Sequence, residues 1–187
     1  LDANSDNTTN TLHGTGGIRI FNTTNVLIHD LTIRKGQRCY AAGSGETDAA
    51  CSQRTGDGIF LERCTTSRIS NVRIDSVDYD CINIRNTTSS TVTGCSFVHY
   101  GSSGIQVENS SYNTITLNTF VSDTPNVQEG GYGKVGIWGV TLSHPACSLN
   151  TVTYNNIMGN GDTSAYAGVT FRDGARKNTV EYNTCFN

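Results

Sequence analysis

Short segments with one apolar face recur along the chain. In each segment a small residue precedes two apolar positions that flank one residue, as in Gly58-Ile59-Phe60-Leu61 and Gly104-Ile105-Gln106-Val107. This alternation predicts a short strand with one buried face. The first apolar positions of the six segments are residues 18, 59, 82, 105, 137 and 169. The separations from 59 to 82 and from 82 to 105 are both 23 residues, so the shortest repeat is 23 residues long.

Two further apolar series follow each segment. The second series comprises Ile28, Ile69, Val92, Ile115, Val152 and Val180. The third series lies five residues later and comprises Ile33, Ile74, Phe97, Phe120, Ile157 and Cys185. Each repeat therefore contains three short strands, and the extra length falls into insertions near 34–57, 121–135, 141–148 and 158–167.

This repeat predicts an all-β fold. One coil cannot bury its own apolar residues, whereas stacked coils bury them against each other at a strand spacing of ~4.8 Å. We predict a right-handed parallel β-helix of about six coils, with three short strands per coil, that forms one domain over residues 1–187.

Two polar registers support the stacking. Asn118, Asn155 and Asn183 each lie two residues before a third-series position, and such side chains can hydrogen-bond from coil to coil at a bend. Cys64 and Cys147 fall at the same turn three coils apart, about 14 Å at ~4.8 Å per coil. That distance is too long for a disulfide, so we expect these two cysteines not to pair with each other.

Composition narrows the range of partners. Only 16% of the 187 residues are charged, the net charge is −3, and no basic stripe is present. We therefore expect no nucleic-acid partner. No apolar run reaches membrane-spanning length, and we expect no membrane partner either.

Cysteines and sequons indicate an extracellular, secreted protein. Seven cysteines leave at least one unpaired within the chain, and Cys39 and Cys51 are candidates for a disulfide because they share one Gly-rich insertion. N-glycosylation sequons begin at Asn7, Asn22, Asn86 and Asn109. The last three share one turn in coils one, three and four, where glycans would line one edge. The alternative is that Asn-Thr-Thr is ordinary turn chemistry.

The residues that point outward from the first strand form a polar face with aromatic rings. The first outward row is predicted to contain Arg19, Phe60, Asn83, Gln106, Trp138 and Thr170, and the second Phe21, Glu62, Arg85, Glu108, Val140 and Arg172. Such a face suits an extended sugar chain. The predicted substrate-binding residues are Asn83, Arg85, Gln106, Tyr100 and Trp138. The alternative for Glu62, Arg85 and Glu108 is a charge ladder that neutralises itself.

The second strand carries threonine on both outward positions in three consecutive coils. These residues are Thr91, Thr93, Thr114, Thr116, Thr151 and Thr153. A flat threonine array is similar to the surface with which some β-helical antifreeze proteins meet ice. Ice binding is therefore a further alternative, although threonine is also a good strand residue.

The repeated segments resemble the pectin-lyase-like superfamily of right-handed parallel β-helices. Three successive motifs are similar to those of polygalacturonases: Thr55-Gly56-Asp57-Gly58, Asp78-Tyr79-Asp80-Cys81 and Gly101-Ser102-Ser103-Gly104. The resemblance matches Asp57 and Asp80 to two of the three aspartates that act as acid and base around a water, the third being the expected acid. This chain departs from the family pattern at Tyr79, where the third aspartate is expected, and at Ser103, where a histidine is expected. Asp78 is a displaced substitute for the acid.

Pectate lyases provide a second resemblance. It implies calcium-binding carboxylates, here Asp57, Asp78 and Asp80, with Lys134 or His99 as the base beside the uronate. The alternative for Asp57 and Asp80 is structural, because carboxylates at the start of a parallel strand also cap backbone N–H groups.

Two functions remain open at this stage. One is a secreted enzyme that hydrolyses, cleaves by elimination or epimerises an acidic polysaccharide, with no certain cofactor and calcium as a candidate. The other is a non-catalytic extracellular glycoprotein that binds carbohydrate or stacks end to end into filaments, because uncapped β-helices expose pairing edges.

Overall fold

Parallel strands account for all the regular secondary structure in the described part of the chain. The computed structural model describes residues 17–34, 57–77, 80–100, 102–121, 138–159 and 167–186. The strands are β1 (Ile18–Phe21), β2 (Leu27–Arg34), β3 (Ile59–Glu62), β4 (Arg68–Val77), β5 (Ile82–Arg85), β6 (Thr91–Thr93), β7 (Ser96–Tyr100), β8 (Ser103–Glu108), β9 (Thr114–Thr116), β10 (Thr119–Val121), β11 (Trp138–Ser143), β12 (Thr151–Thr153), β13 (Asn156–Met158), β14 (Ala167–Arg172), β15 (Thr179–Glu181) and β16 (Thr184–Phe186).

The strands wind into six coils of a parallel β-helix, as the repeat predicts. The first strands of the coils form one six-stranded sheet in the order β1-β3-β5-β8-β11-β14. The second and third strands form the other two faces, which join into one ten-stranded sheet because β2 and β4 run continuously through the bend between them.

Apolar columns fill the interior. Ile59 pairs with Ile82 and Ile82 with Ile105, and all three side chains are fully buried. One continuous hydrophobic cluster contains the buried members of all three apolar series. Val180, the last member of the second series, is exposed in coil six. The stacking on which the sequence interpretation depends is therefore confirmed.

Three corners of every coil use left-handed backbone. The corner after the first strand comprises Asn22, Arg63, Asn86, Asn109, His144 and Asp173; the corner before the second strand comprises Asn25, Thr66, Ser89, Tyr112, Leu149 and Lys177; and the corner after the second strand comprises Asp30, Asn71, Gly94, Leu117, Tyr154 and Tyr182. Their φ angles lie between 48° and 77°. Asparagine and glycine tolerate this conformation best, which explains part of the Asn-rich composition.

Ladders of asparagine side chains inside the corners accept hydrogen bonds from backbone N–H groups. Asn118, Asn155 and Asn183 form the predicted ladder: each amide oxygen accepts the backbone N–H of the preceding coil, and the Asn118 and Asn155 amide groups each donate to the next oxygen. A second ladder of the same kind, not predicted from the sequence, comprises Asn113, Asn150 and Asn178.

The register of coil five corrects the sequence interpretation. Val140 and Leu142, not Ile137 and Gly139, pair with Ile105 and Val107, so the strand begins three residues later than predicted. The expected insertion at 141–148 therefore contains three strand residues, and only the turn after Ser143 departs from the shortest coil. Trp138 lies at the start of β11. The outward position that was predicted for Trp138 is occupied by Thr141.

Tyr100 is a second correction. The prediction placed it beside the outward face, but its side chain is only 1% exposed and belongs to the core. His99 has a positive φ of 54°, which kinks β7, and Tyr100 pairs with Val77. Burial raises the pKa of the Tyr100 phenol well above its usual value.

Candidate functional site

The outer face of the six-stranded sheet carries the candidate site. With the corrected register, its first outward row is Arg19, Phe60, Asn83, Gln106, Thr141 and Thr170. Its second row is Phe21, Glu62, Arg85, Glu108, Ser143 and Arg172. Five coil spacings of ~4.8 Å make this face about 24 Å long. We call these two rows, together with Trp138, the outer strip.

Asp57, Asp80 and Ser103 form one column at the start of the strip. The backbone N–H of Asp80 donates to Asp57 Oδ1 at 3.2 Å, and the N–H of Ser103 donates to Asp80 Oδ1 at 2.8 Å. Both carboxyl groups are only 1% exposed. The two aspartates therefore cap the backbone of the following coil, which is the structural alternative that the sequence analysis left open.

Asp80 favours its protonated form. Burial raises the pKa of this carboxyl well above its usual range, and the neighbouring charge of Asp57 raises it further. Hydrogen bonds from the Ser103 backbone and the Ser102 side chain oppose the shift but are smaller. A protonated carboxyl is what a general acid requires, but this one is buried beneath the surface of the strip.

A hydrogen-bonded polar network occupies the middle of the strip. Gln106 Nε2 donates to Ser143 Oγ at 3.0 Å, and its Oε1 accepts from Ser103 Oγ at 3.3 Å. Ser103 Oγ also lies 3.1 Å from Thr141 Oγ1. The network spans coils four and five and holds the half-buried Gln106 amide in a fixed orientation.

Asn83 lies beside this network in coil three. Its Nδ2 is 3.5 Å from Asp80 Oδ2, whereas its Oδ1 has no hydrogen-bond partner among the described residues. The side chain is only 4% exposed. A buried acceptor without a partner carries a free-energy cost, which a donor group at this point would remove.

Arginines and aromatic rings meet at both ends of the strip. The Arg19 guanidinium carbon lies 5.0 Å from the Phe60 ring centroid and 5.4 Å from that of Phe21. At the other end, Arg172 lies 5.3 Å from the Trp138 centroid. Within the described ranges, neither arginine forms an ion pair with a carboxylate. Both ends of the strip therefore present a positive charge beside an aromatic face.

The charges between these ends are paired. Arg85 Nε lies 3.5 Å from Glu108 Oε2, and Arg63 Nε lies 3.9 Å from Glu62 Oε1. The predicted ladder of Glu62, Arg85 and Glu108 is therefore an ion pair between two of its members, with Glu62 turned to its chain neighbour.

His99 belongs to a different face. Its Nδ1 lies 2.9 Å from Asp75 Oδ1, and Arg73 donates to Asp75 Oδ2 at 2.9 Å. These residues are on β4 and β7 in the ten-stranded sheet. The structure thus gives His99 a carboxylate partner that the sequence analysis did not predict, because the partner lies one coil away.

The sequon asparagines are in register along one corner. Asn109 Nδ2 donates to Asn86 Oδ1, and Asn22 occupies the same corner in coil one. A glycan on Asn109 would replace an N–H of this amide. Glycosylation stays a prediction.

The described cysteines are structural thiols. Cys64, Cys95 and Cys147 are buried and donate to backbone carbonyl oxygens, so Cys64 and Cys147 are unpaired as expected. Burial raises the pKa of the Cys147 thiol to about 11.

Several predicted sites lie outside the described residues. These are the sequon at Asn7, the disulfide pair Cys39 and Cys51, and the candidate catalytic residues Asp78 and Lys134. The insertions predicted at 34–57, 121–135 and 158–167 also fall largely outside them.

The described residues contain no group of three or more His, Cys, Asp or Glu side chains that could hold a metal ion. Calcium therefore gains no support from this part of the chain. In the same ranges, no helix has the length and apolar character needed to cross a membrane.

Comparison with known proteins places the chain in a family. No curated protein matches it significantly. The family model described as "Periplasmic copper-binding protein (NosD)" matches residues 2–145. This range covers more than half of the 187 residues, and the chain therefore belongs to the NosD family.

Proposed function

We propose that this chain is an exported, non-catalytic β-helix protein that binds an acidic polysaccharide along the outer strip. The observation that carries the proposal is the pair of Arg–aromatic contacts at the two ends of the strip, Arg19 with the exposed Phe21 ring and Arg172 with Trp138. Export is consistent with the periplasmic description of the family.

The chemistry of the strip suits an anionic sugar chain. Arginine binds carboxylates through a planar fork of donors, and an aromatic ring beside it offers an apolar surface to a sugar face. Between the ends, the half-buried Gln106 amide offers hydrogen bonds to sugar hydroxyl groups, while its partners Ser103, Thr141 and Ser143 are buried and hold it in place. A repeating ligand matches a face that repeats every ~4.8 Å.

The aspartate column supports binding without hydrolysis. One oxygen of each carboxyl group accepts a backbone N–H, and both groups are buried.

Copper binding is not part of the proposal. The family description names copper, but the described residues contain no group of three or more His, Cys, Asp or Glu side chains that could share the ion. The thiols of Cys64, Cys95 and Cys147 are buried donors. The described residues therefore do not fit a copper ion, and we derive no step through one.

The test measures binding and turnover together. We expect polygalacturonate or alginate oligomers to bind the whole chain in calorimetry, with no release of reducing ends or unsaturated products. Arg172→Gln should weaken binding about tenfold, the size of one lost charged hydrogen bond. Lys177→Gln, a corner residue away from the strip, is the matched control. Unchanged affinity in Arg172→Gln would overturn the proposal.

A second candidate function is cleavage with Asp80 as general acid. The raised pKa of its carboxyl favours this candidate. Asp80→Asn separates the two, because the amide oxygen can still accept the Ser103 N–H. The binding proposal predicts unchanged affinity and no turnover in either form, whereas the enzyme predicts turnover that is lost in the variant.

A further inference from the structure

The outward face formed by the second strands of coils four to six is bordered by exposed tyrosine and leucine side chains. Its outward floor consists of Thr114 and Thr116 in β9, Thr151 and Thr153 in β12, and Thr179 and Glu181 in β15. Tyr112 and Leu149 border this floor on one side, and Leu117, Tyr154 and Tyr182 border it on the other. We call these threonines and their border the threonine groove.

The border residues are in a backbone conformation that does not suit them. All five have φ between 55° and 59°. Bulky L-residues are rare in this region, whereas asparagine and glycine tolerate it. In coils one to three the same corners hold small or polar residues, namely Asn25, Thr66, Ser89, Asp30, Asn71 and Gly94.

The same residues also expose their apolar surface. Leu117 is 62% exposed, Tyr154 56% and Tyr182 69%. The Tyr154 and Tyr182 rings stack with centroids 5.1 Å apart, which continues the coil repeat outside the core. Neither backbone preference nor burial explains five such residues on adjacent coils, and an outlier of this kind points to function.

The floor between the borders is uncharged in coils four and five. Its side chains offer methyl groups and hydroxyls, and Thr153 Oγ1 donates to Thr116 Oγ1 at 3.2 Å. The corresponding floor of coils one and two instead carries Arg68 and the exposed His29–Asp30 pair. The floor is also uncharged in coil three, where Thr91 and Thr93 occupy it, so the apolar border is the feature that distinguishes coils four to six.

We propose that the threonine groove binds a neutral glycan chain. Sugar rings combine apolar C–H faces with hydroxyl groups, which matches tyrosine and leucine borders around a floor of threonine hydroxyls. The threonines of the floor offer no positive charge to a uronate, and the Glu181 carboxylate repels one, so uronates belong to the outer strip. The regular coil spacing favours a ligand that also repeats.

The test replaces the border on one side by the residue that its backbone prefers. In the whole chain, Leu117→Asn, Tyr154→Asn and Tyr182→Asn are combined, and cellohexaose is titrated while NMR signals are followed. We expect wild-type protein to bind and the triple variant to bind at least tenfold more weakly. Its urea unfolding midpoint should be equal to or higher than that of wild type, because asparagine relieves the backbone.

The matched control combines Thr66→Asn and Ser89→Asn, which lie at a border corner in coils two and three. It should bind cellohexaose as wild type does. Failure of the wild-type chain to bind, or equal binding by the triple variant, would overturn the proposal. So would a lower unfolding midpoint, which indicates a structural role, or dimers that the triple variant abolishes, which indicate a self-association surface. The triple variant should leave polygalacturonate binding unchanged, so this proposal and the outer strip fail separately.

Discussion

Asp80 Oδ1 accepts the backbone N–H of Ser103, 23 positions further along the chain, at 2.8 Å. The contact joins the start of one coil to the start of the next. Asp57 and Asp80 are related in the same way, which places two carboxyl groups in one buried column. Backbone capping explains these aspartates without catalysis.

Asp80→Asn should stabilise the protein at neutral pH. The pKa of the folded carboxyl lies above its unfolded value, so the folded state binds more protons than the unfolded state as pH rises above about 4. The free energy of unfolding therefore falls between that pH and the raised pKa in wild type. Urea titrations at pH 4.5 and 7 should show a smaller fall in the variant; an equal fall would show that Asp80 titrates normally.

Asn118→Ala should destabilise the fold by roughly 3 kcal/mol, because about three hydrogen bonds at ~1 kcal/mol each are lost from a buried side chain. Equilibrium urea unfolding measures the change. Thr116→Ala, on the outward surface of the neighbouring strand, is the control and should cost much less. Similar losses of unfolding free energy in both variants would contradict a stabilising role for the asparagine ladder.

Gly104→Ala should cost roughly 1–3 kcal/mol through overpacking. A Cβ at this position would overlap the Phe120 ring and lie 2.9 Å from the Gly139 carbonyl oxygen. Phe120→Leu in the same chain should recover part of the loss, because it shortens the side chain that the Cβ meets. Additive effects of the two changes in thermal unfolding would exclude this contact.

Thiol labelling should distinguish the exposed cysteine of coil six from the buried cysteines of the other coils. Cys185 is exposed, whereas Cys81 and Cys147 are buried in the interior, and burial raises the pKa of all three thiols above the usual value. Peptide mapping after brief alkylation at pH 8 should find Cys185 modified, and Cys81 and Cys147 modified only after unfolding. Early modification of Cys81 would show that the interior of coil three is open.

The sequence predicts most of this fold because each coil repeats its apolar columns in a fixed register. It fails at coil five, where Gly136-Ile137-Trp138-Gly139 imitates the repeat three residues before the true strand. The true frame places Val140 twelve residues before Val152, closer to the ten of the shorter coils than the fifteen from Ile137. Apolar spacing alone did not reveal the frame.

The site was less predictable, because its contacts join residues that the sequence separates by a coil. Tyr100 turns inward after a left-handed His99, a conformation that a histidine in the sequence does not signal. The pairing of Asp75 with His99 and that of Arg172 with Trp138 both depend on which side chains share a corner or strip. Only the aspartate column followed directly from the 23-residue register.

Trp138 is the single tryptophan of the chain and lies against Arg172 at one end of the outer strip, so its fluorescence reports directly on the proposed binding face. The most direct test is a fluorescence titration with polygalacturonate oligomers. Polysaccharide binding along the strip predicts a saturable change in wild type and Asp80→Asn that is strongly weakened in Arg172→Gln. A flat titration in wild type, or an identical curve in Arg172→Gln, would contradict it.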